Sequence, residues 1–315
     1  KSTVSRYFNG GSIKEETRKK IQNVVKENNY IPNSFARLKA KESNTVGVIV
    51  PTLNSKVTSR VVTSVGRYLR SQGYEALIKD SDHSPKLELE NINRLFTQKV
   101  DGILFSAISL TEEHKQLLMN SPVPVVVLAQ NFEEGITVTM DDYTAGKTMG
   151  SFMGSRVRGK IAYLGVEEED EAVGIFRRQG VLEGIKESGS QVMTVETGDY
   201  SYVSGQEMME KVLEKGIPDG VICATDRLAF GAYRILQKHG ILIPEQVSVA
   251  GFGGYDESEL LSPQLTTLRF DSYGLGYLGA ETLLKMIREE PVPKKQIVGF
   301  EMILGKSVRN ENTVK

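Results

Sequence analysis

The sequence has one cysteine, Cys223, and only three histidines, His83, His114 and His239. A lone thiol makes no internal disulfide, which excludes a disulfide-stapled secreted scaffold and suits a reducing cytoplasm. None of the histidines has a metal-ligand partner at helical spacing, so neither a metal nor a cofactor is expected. All three are read as surface or helix-end residues. No stretch reaches the roughly 18 consecutive apolar residues of a membrane span, and the opening residues hold no apolar signal core. No G-x-S-x-G nucleophile elbow and no G-x-x-x-x-G-K-[ST] phosphate loop is present. Cys223 lies in an apolar strand run, where a thiol is inert. "GFGGYD" has the wrong spacing for a dinucleotide loop. Asp141 and Asp142 are read as projecting apart on a strand, a poor arrangement for a catalytic carboxylate pair. The chemistry that remains is binding without turnover, in a cytoplasmic protein that is not an enzyme.

What is present is an uneven charge. Residues 1–41 carry ten Lys or Arg against three Glu, a net of +7, and the remaining 29 basic and 37 acidic residues net −8. A basic head on an acidic body is the footprint of a chain that meets nucleic acid at one end. "IKEETRKKIQNVVKENNYIPN" predicts a helix with Ile13, Ile21, Val24 and Val25 on one stripe. A short basic linker, "NSFARLKAKESN", follows.

From Thr45 the pattern alternates strand and helix, as in parallel sheets with crossover helices. "TVGVIVP", "YEALIKD", "VDGILFSA" and "VPVVVLAQ" read as strands. A second series starts at "GKIAYLGV". "IPDGVICATD" echoes "KVDGILFSAI", and "VSVAGFGG" echoes "VPVVVLAQ", which argues for duplicated doubly wound units. The tail supplies one helix and one long strand run that return to complete the sheets. The expected division is a partial helix-turn-helix head and hinge over 1–44, a first core subdomain over 45–155 and 271–297, and a second over 156–270 and 298–315. Open α/β sheets bind ligands beyond the carboxyl ends of their strands. For two facing sheets this marks 51–58, 106–109, 130–132, Arg177, 199–202, 225–226 and 252–255. The acidic run Glu167–Glu171 reads as a solvated loop near the mouth.

"TVSRYFNG", "NYIPNSFAR", "ATDRLAFGA" and "SPQLTTLRFD", in this order, resemble the LacI/GalR family of bacterial transcription repressors, and the resemblance spans essentially the whole chain. Within the family it is similar to the sugar-operon type, such as sucrose and trehalose operon repressors. The resemblance implies periplasmic-binding-protein-like core subdomains, operator DNA and a sugar effector as partners, and a homodimer. It implies that a first helix and a tight turn, about 15–20 residues in all, precede "KSTVSR", and that without them the chain binds operator poorly or not at all. Lys1, Ser2 and Arg6 would then face bases, and Thr3, Ser5 and Asn9 phosphates. Where the family has A-R-x-L, this chain reads "ARLK". Leu38, following Arg37, is then the one apolar candidate for a minor-groove wedge; either the hinge helix is shifted by one residue to present it, or Lys39 faces the groove and weakens the kink.

In the cleft the resemblance implies that Arg177 binds sugar hydroxyls and that Tyr200 stacks on the ligand. Asp141, Asp142, Thr225 and Asp226 match pocket positions, with helix capping as the competing reading. Gly253 departs from the family's G-Y-D, whose Asp grips sugar hydroxyls. Lys56, Arg60 and Gln130 are read as compensating for it, which suits a disaccharide or a sugar phosphate. A transport-linked sugar-binding protein is the alternative, and the basic head argues against it.

Overall fold

The computed structural model describes residues 3–8, 12–27 and 43–309. The chain divides into two units, one ending at Asn44 and one starting at Thr45. The first contains α1 (Thr3–Phe8) and α2 (Glu15–Glu27). Glu15 and Glu16 stand in the first turn of α2, where carboxylates complement the positive end of the helix. Glu16 also pairs with Lys20 one turn on, at 2.7 Å. Ile13 and Ile21 are half-buried, but Val24, expected on the same stripe, is exposed. Lys1, Ser2, Asn9, Arg37 and Leu38 lie outside the described residues.

The second unit begins with β1 (Thr45–Val50), α3 (Lys56–Ser71), β2 (Glu75–Asp80), α4 (Pro85–Thr97), β3 (Gly102–Ser106), α5 (Glu112–Met119), β4 (Val125–Leu128) and β5 (Ile136–Met140). It continues through α6 (Asp142–Val157), β6 (Lys160–Val166), a π-helical turn at Glu171–Arg177 and α7 (Arg178–Glu187). Next come β7 (Gln191–Gly198), α8 (Tyr202–Glu214), β8 (Gly220–Cys223), α9 (Asp226–Lys238) and β9 (Ser248–Phe252). After a 3-10 turn at Asp256–Leu260 the unit closes with β10 (Thr266–Phe270), α10 (Ser272–Ile287), β11 (Lys295–Val298) and β12 (Phe300–Ile303).

The strands form two six-stranded sheets of the same design, ordered β11-β5-β4-β3-β1-β2 and β12-β10-β9-β8-β6-β7. The echo of Asp101–Gly102 in Asp219–Gly220 therefore marks equivalent strands, β3 and β8. Within each sheet the pairing is parallel, except that β12 runs antiparallel to β10. The central strands are apolar on both faces because helices cover both, as at β8, whose four residues are all buried.

One point of organisation differs from the sequence reading. Helix α6 belongs to the second core, where Ala145, Met149, Met153 and Val157 are buried with Ile161 and Val181. The change of half thus falls near Asp141 and not after residue 155. The long strand run of the tail breaks at Gly299, giving β11 to the first sheet and β12 to the second. The chain consequently crosses between halves three times, at β5–α6, β10–α10 and β11–β12. The first two crossings share a device. Asp141 caps α6 by accepting from the Thr144 N–H at 3.0 Å, and Asp271 caps α10 by accepting from the Gly274 N–H at 2.7 Å.

Candidate functional site

The carboxyl ends of both parallel sheets open onto the same cleft, and two sets of polar contacts bridge it. The first comes from the amino end of α3. Ser55 caps this helix by accepting from the Thr58 N–H, and the helix then presents Lys56 and Arg60 to the second half. Arg60 donates from Nη1 to the carbonyl of Gly253 at 2.9 Å and from Nη2 to that of Gly254 at 2.7 Å. Lys56 pairs with Glu257 at 3.0 Å. Arg227 reaches back from α9 to the Asn54 carbonyl at 2.6 Å.

The Gly253–Gly254 turn suits this role. Gly253 has φ +134°, a conformation open to glycine but not to side-chain-bearing residues, and Gly254 has φ +55°. A Cβ on Gly253 would sit 2.6 Å from the Tyr255 ring. The turn is pinned from behind by Asp226, which is fully buried. Its carboxylate accepts from the Tyr255 N–H at 2.8 Å, the Ser258 hydroxyl at 2.9 Å and the Thr267 hydroxyl at 2.6 Å. Burial raises its pKa, and these three donors oppose the rise.

The second set lies at the ends of β4 and β6. Gln130 donates from Nε2 to the Ile108 carbonyl at 2.6 Å and across the cleft to Asp170 at 3.0 Å. Asp170 also accepts from the Tyr200 hydroxyl and, as cap of the π-helical turn, from the Val173 N–H at 3.1 Å. The ring of His83, on the loop after β2, lies nearly parallel to that of Tyr200, with centroids 6.0 Å apart.

Between the two sets sits Arg177, at the junction of the π-helical turn and α7 and 7% exposed. It donates from Nε to Asp142 at 2.9 Å, from Nη2 to the same oxygen, and from Nη1 to the Ala224 carbonyl at 2.7 Å. Its guanidinium also lies 5.0 Å from the Phe252 ring centroid and 5.2 Å from that of Phe270. Burial pushes the Asp142 carboxyl up to about 6 even though the Arg177 charge pulls it down. Apolar rings beside a few fixed polar groups are the general make-up of a site that orients a small ligand. It holds no nucleophile–base pair, and no group of His, Cys, Asp or Glu able to hold a metal ion occurs among the described residues.

Of the residues marked from sequence, Lys56, Gln130, Asp142, Arg177, Tyr200 and Gly253 come together here. Asp141, Thr225 and Asp226 are redirected. Asp141 caps α6, Thr225 caps α9 through the Leu228 N–H, and Asp226 is committed to the Gly253 turn. Asp141 and Asp142 do not project from a strand, because the helix starts between them. Thr3 and Arg6 are exposed on α1, and Ser5 lies on the same helix. Sequence reasoning missed Asp170, read as part of a solvated run. Glu167, Glu168 and Glu169 are indeed exposed, but the π-helical turn carries Asp170 inward. His114 corrects another expectation. It is fully buried, 3.3 Å from Glu88 and stacked on Phe105, because the capping box of Thr111 draws its ring under the helix start.

Comparison with known proteins places this geometry. Residues 1–33 match the model of the bacterial regulatory proteins of the lacI family, and residues 156–308 match a periplasmic binding protein-like domain. The chain is 31% identical over 307 residues to catabolite control protein A of Staphylococcus epidermidis, covering 94% of this chain and 92% of the relative. It is 29% identical over 306 residues to the sucrose operon repressor of Staphylococcus xylosus, covering 96% and 94%. Among solved structures, a CelR–cellobiose complex aligns with a TM-score of 0.77 and 25% identity, over 97% of this chain and 95% of that one. A lac repressor dimer bound to operator and the anti-inducer ONPF shares the fold with a TM-score of 0.85 and 23% identity, over 97% and 94%.

Proposed function

This chain belongs to the LacI family of bacterial regulatory proteins, and on that footing we propose that it is a sugar-responsive repressor of a carbohydrate-utilisation operon. It binds a two-fold operator as a homodimer through its basic head, and a disaccharide or sugar phosphate in the cleft of the second unit. The observation that carries this reading is the doubly bridged cleft. Arg60 reaches Gly253 and Gly254, and Gln130 reaches Asp170, across halves joined by three chain crossings. Relatives named for the sucrose operon and for cellobiose support a sugar as the ligand.

The mechanism follows from the bridging contacts. A ligand held between the halves favours the arrangement in which both halves touch it, and it shifts the equilibrium only by its preference for that arrangement. Coupling of this kind is commonly about 1–3 kcal/mol, or roughly 5- to 150-fold in operator affinity. Lys56, Gln130, Asp142, Arg177, Tyr200 and Gly253 are proposed to face the effector. Asp141, Thr225 and Asp226 hold the backbone on which they stand. In the head, Lys1, Ser2 and Arg6 are proposed to read bases, and Thr3, Ser5 and Asn9 to hold phosphates. Arg37 and Leu38 are proposed to act at the minor groove.

The test is a mobility shift with the full-length protein. An operator selected from random DNA is titrated with and without each of a set of disaccharides. A two-fold site whose occupancy changes with one sugar is the expected result. Binding without sequence preference, unaltered by every sugar, would refute the proposal.

A further inference from the structure

Asp170 is the least expected polar group of the cleft, and its surroundings say what it can recognise. It is 9% exposed, and its three donors come from the π-helical turn, from Tyr200 and, across the cleft, from Gln130. The donor inventory of this cluster is spent internally. Gln130 has two amide protons, one given to the Ile108 carbonyl and one to Asp170. Tyr200 gives its only proton to Asp170. What the three side chains can still offer an incoming molecule is lone pairs alone: on the carboxylate, the amide oxygen and the phenol oxygen.

The charge points the same way. Arg177 is committed to Asp142 and the Ala224 carbonyl, Arg178 to Glu168, and Arg60, Lys56 and Arg227 to acceptors at the other bridge. Asp170 is held by neutral donors. We propose, building on the sugar-effector reading above, that Asp170 with Gln130 and Tyr200 reads the hydroxyl groups of an uncharged sugar and turns away the phosphorylated form of that sugar. A hydroxyl supplies the proton that the cluster lacks. A phosphate near neutral pH brings oxygens that mostly accept, and its charge has the same sign as Asp170.

The loop opposite is built for a ligand as well. Asp82 and His83 both adopt left-handed backbone, with φ +46° and +56°, which is uncommon for residues other than glycine and clusters at functional sites. Asp80 holds them there, accepting from the N–H groups of Asp82 at 2.8 Å and Leu53 at 2.9 Å. The outcome is the His83 ring set over Tyr200, an aromatic wall of the kind that suits the apolar face of a sugar ring.

The experiment is titration calorimetry on the full chain with sucrose, trehalose, cellobiose and maltose, each beside its 6-phosphate. One uncharged sugar is expected to bind, with its phosphate at least about tenfold weaker. Asp170→Asn keeps one acceptor oxygen to cap the turn, removes the charge and replaces the other acceptor with an amide donor. It is expected to weaken the uncharged sugar about tenfold, as loss of a hydrogen bond to a charged group does, and to narrow the gap to the phosphate. Gln130→Leu, which leaves the cap untouched, is expected to weaken the uncharged sugar several-fold. A phosphate that binds as tightly as its parent sugar overturns the inference. So does an Asp170→Asn protein with unchanged affinity and selectivity. Absence of binding by all eight compounds overturns the sugar-effector reading itself, and this inference with it.

Discussion

Arg177 and Asp142 show how much one buried residue depends on its partner. Removing one member of a buried ion pair leaves the other charge uncompensated, at a cost of about 3–5 kcal/mol. Arg177→Met is therefore expected to lower stability by that order, read from urea denaturation of the second unit at neutral pH. Asp142 adds a pH dependence. Its folded pKa of about 6 lies above the ordinary 3.8, so the folded state holds this proton more tightly than the unfolded chain does. The stability this confers is complete below about pH 4 and is lost as pH rises through about 6, with a ceiling of about 3 kcal/mol. Across pH 4.5–7, wild type should lose stability relative to Asp142→Asn, and a constant difference between the two melting curves would contradict this. Arg177 was legible in "RRQG" through the family resemblance. Asp170 was not, because in "EEEDE" the residue that turns inward is selected by a π-helical turn that no sequence period announces.

At the scale of elements, α6 and α7 pack closely enough that glycine is required on both. A Cβ on Gly150 would lie 2.2 Å from the Val181 carbonyl oxygen, and one on Gly184 would lie 2.3 Å from that of Lys147. Both obstacles are backbone, so neither can swing aside. Gly66 in α3 has the opposite setting, with open space where its Cβ would go. Gly150→Ala is expected to destabilise by about 1–3 kcal/mol through overpacking. Gly66→Ala is expected to stabilise by about 0.5–1 kcal/mol through helix propensity alone. Chemical denaturation of the two variants side by side checks both signs. Most elements were visible in the alternation of apolar runs and amphipathic stretches. β5 was missed because "ITVTM" is short and carries threonines, two of them buried in the sheet or beneath its flanking elements. The sequence reading divided the tail between the two subdomains at 297/298, although β11 and β12 read as one strand run.

For the whole molecule, the duplicated design could be read from the repeat, and the cleft from the rule that ligands bind at strand ends. The bridging contacts could not, since they join residues from 40 positions apart, as Gln130 and Asp170 are, to 194, as Arg60 and Gly254 are. Arg60 belongs to this scale because it links the halves. Arg60→Ala is expected to weaken effector binding and to enlarge the radius of gyration seen by small-angle scattering of the unliganded protein. A radius unchanged within error would mean that the remaining bridges suffice without it.

The return of the tail governs the order in which this chain can become itself during synthesis. The first half begins with β1 near residue 45 but is completed by α10 and β11, which arrive only after all the other strands of the second half except its edge strand β12 have been made. Leu275, Ala280, Leu283 and Leu284 of α10 are part of the first core, packed with Val46, Val65 and Leu104. Until those residues emerge, that sheet waits with one face covered by α3 alone and its β5 edge unpaired. The half that is begun first is among the last to be sealed.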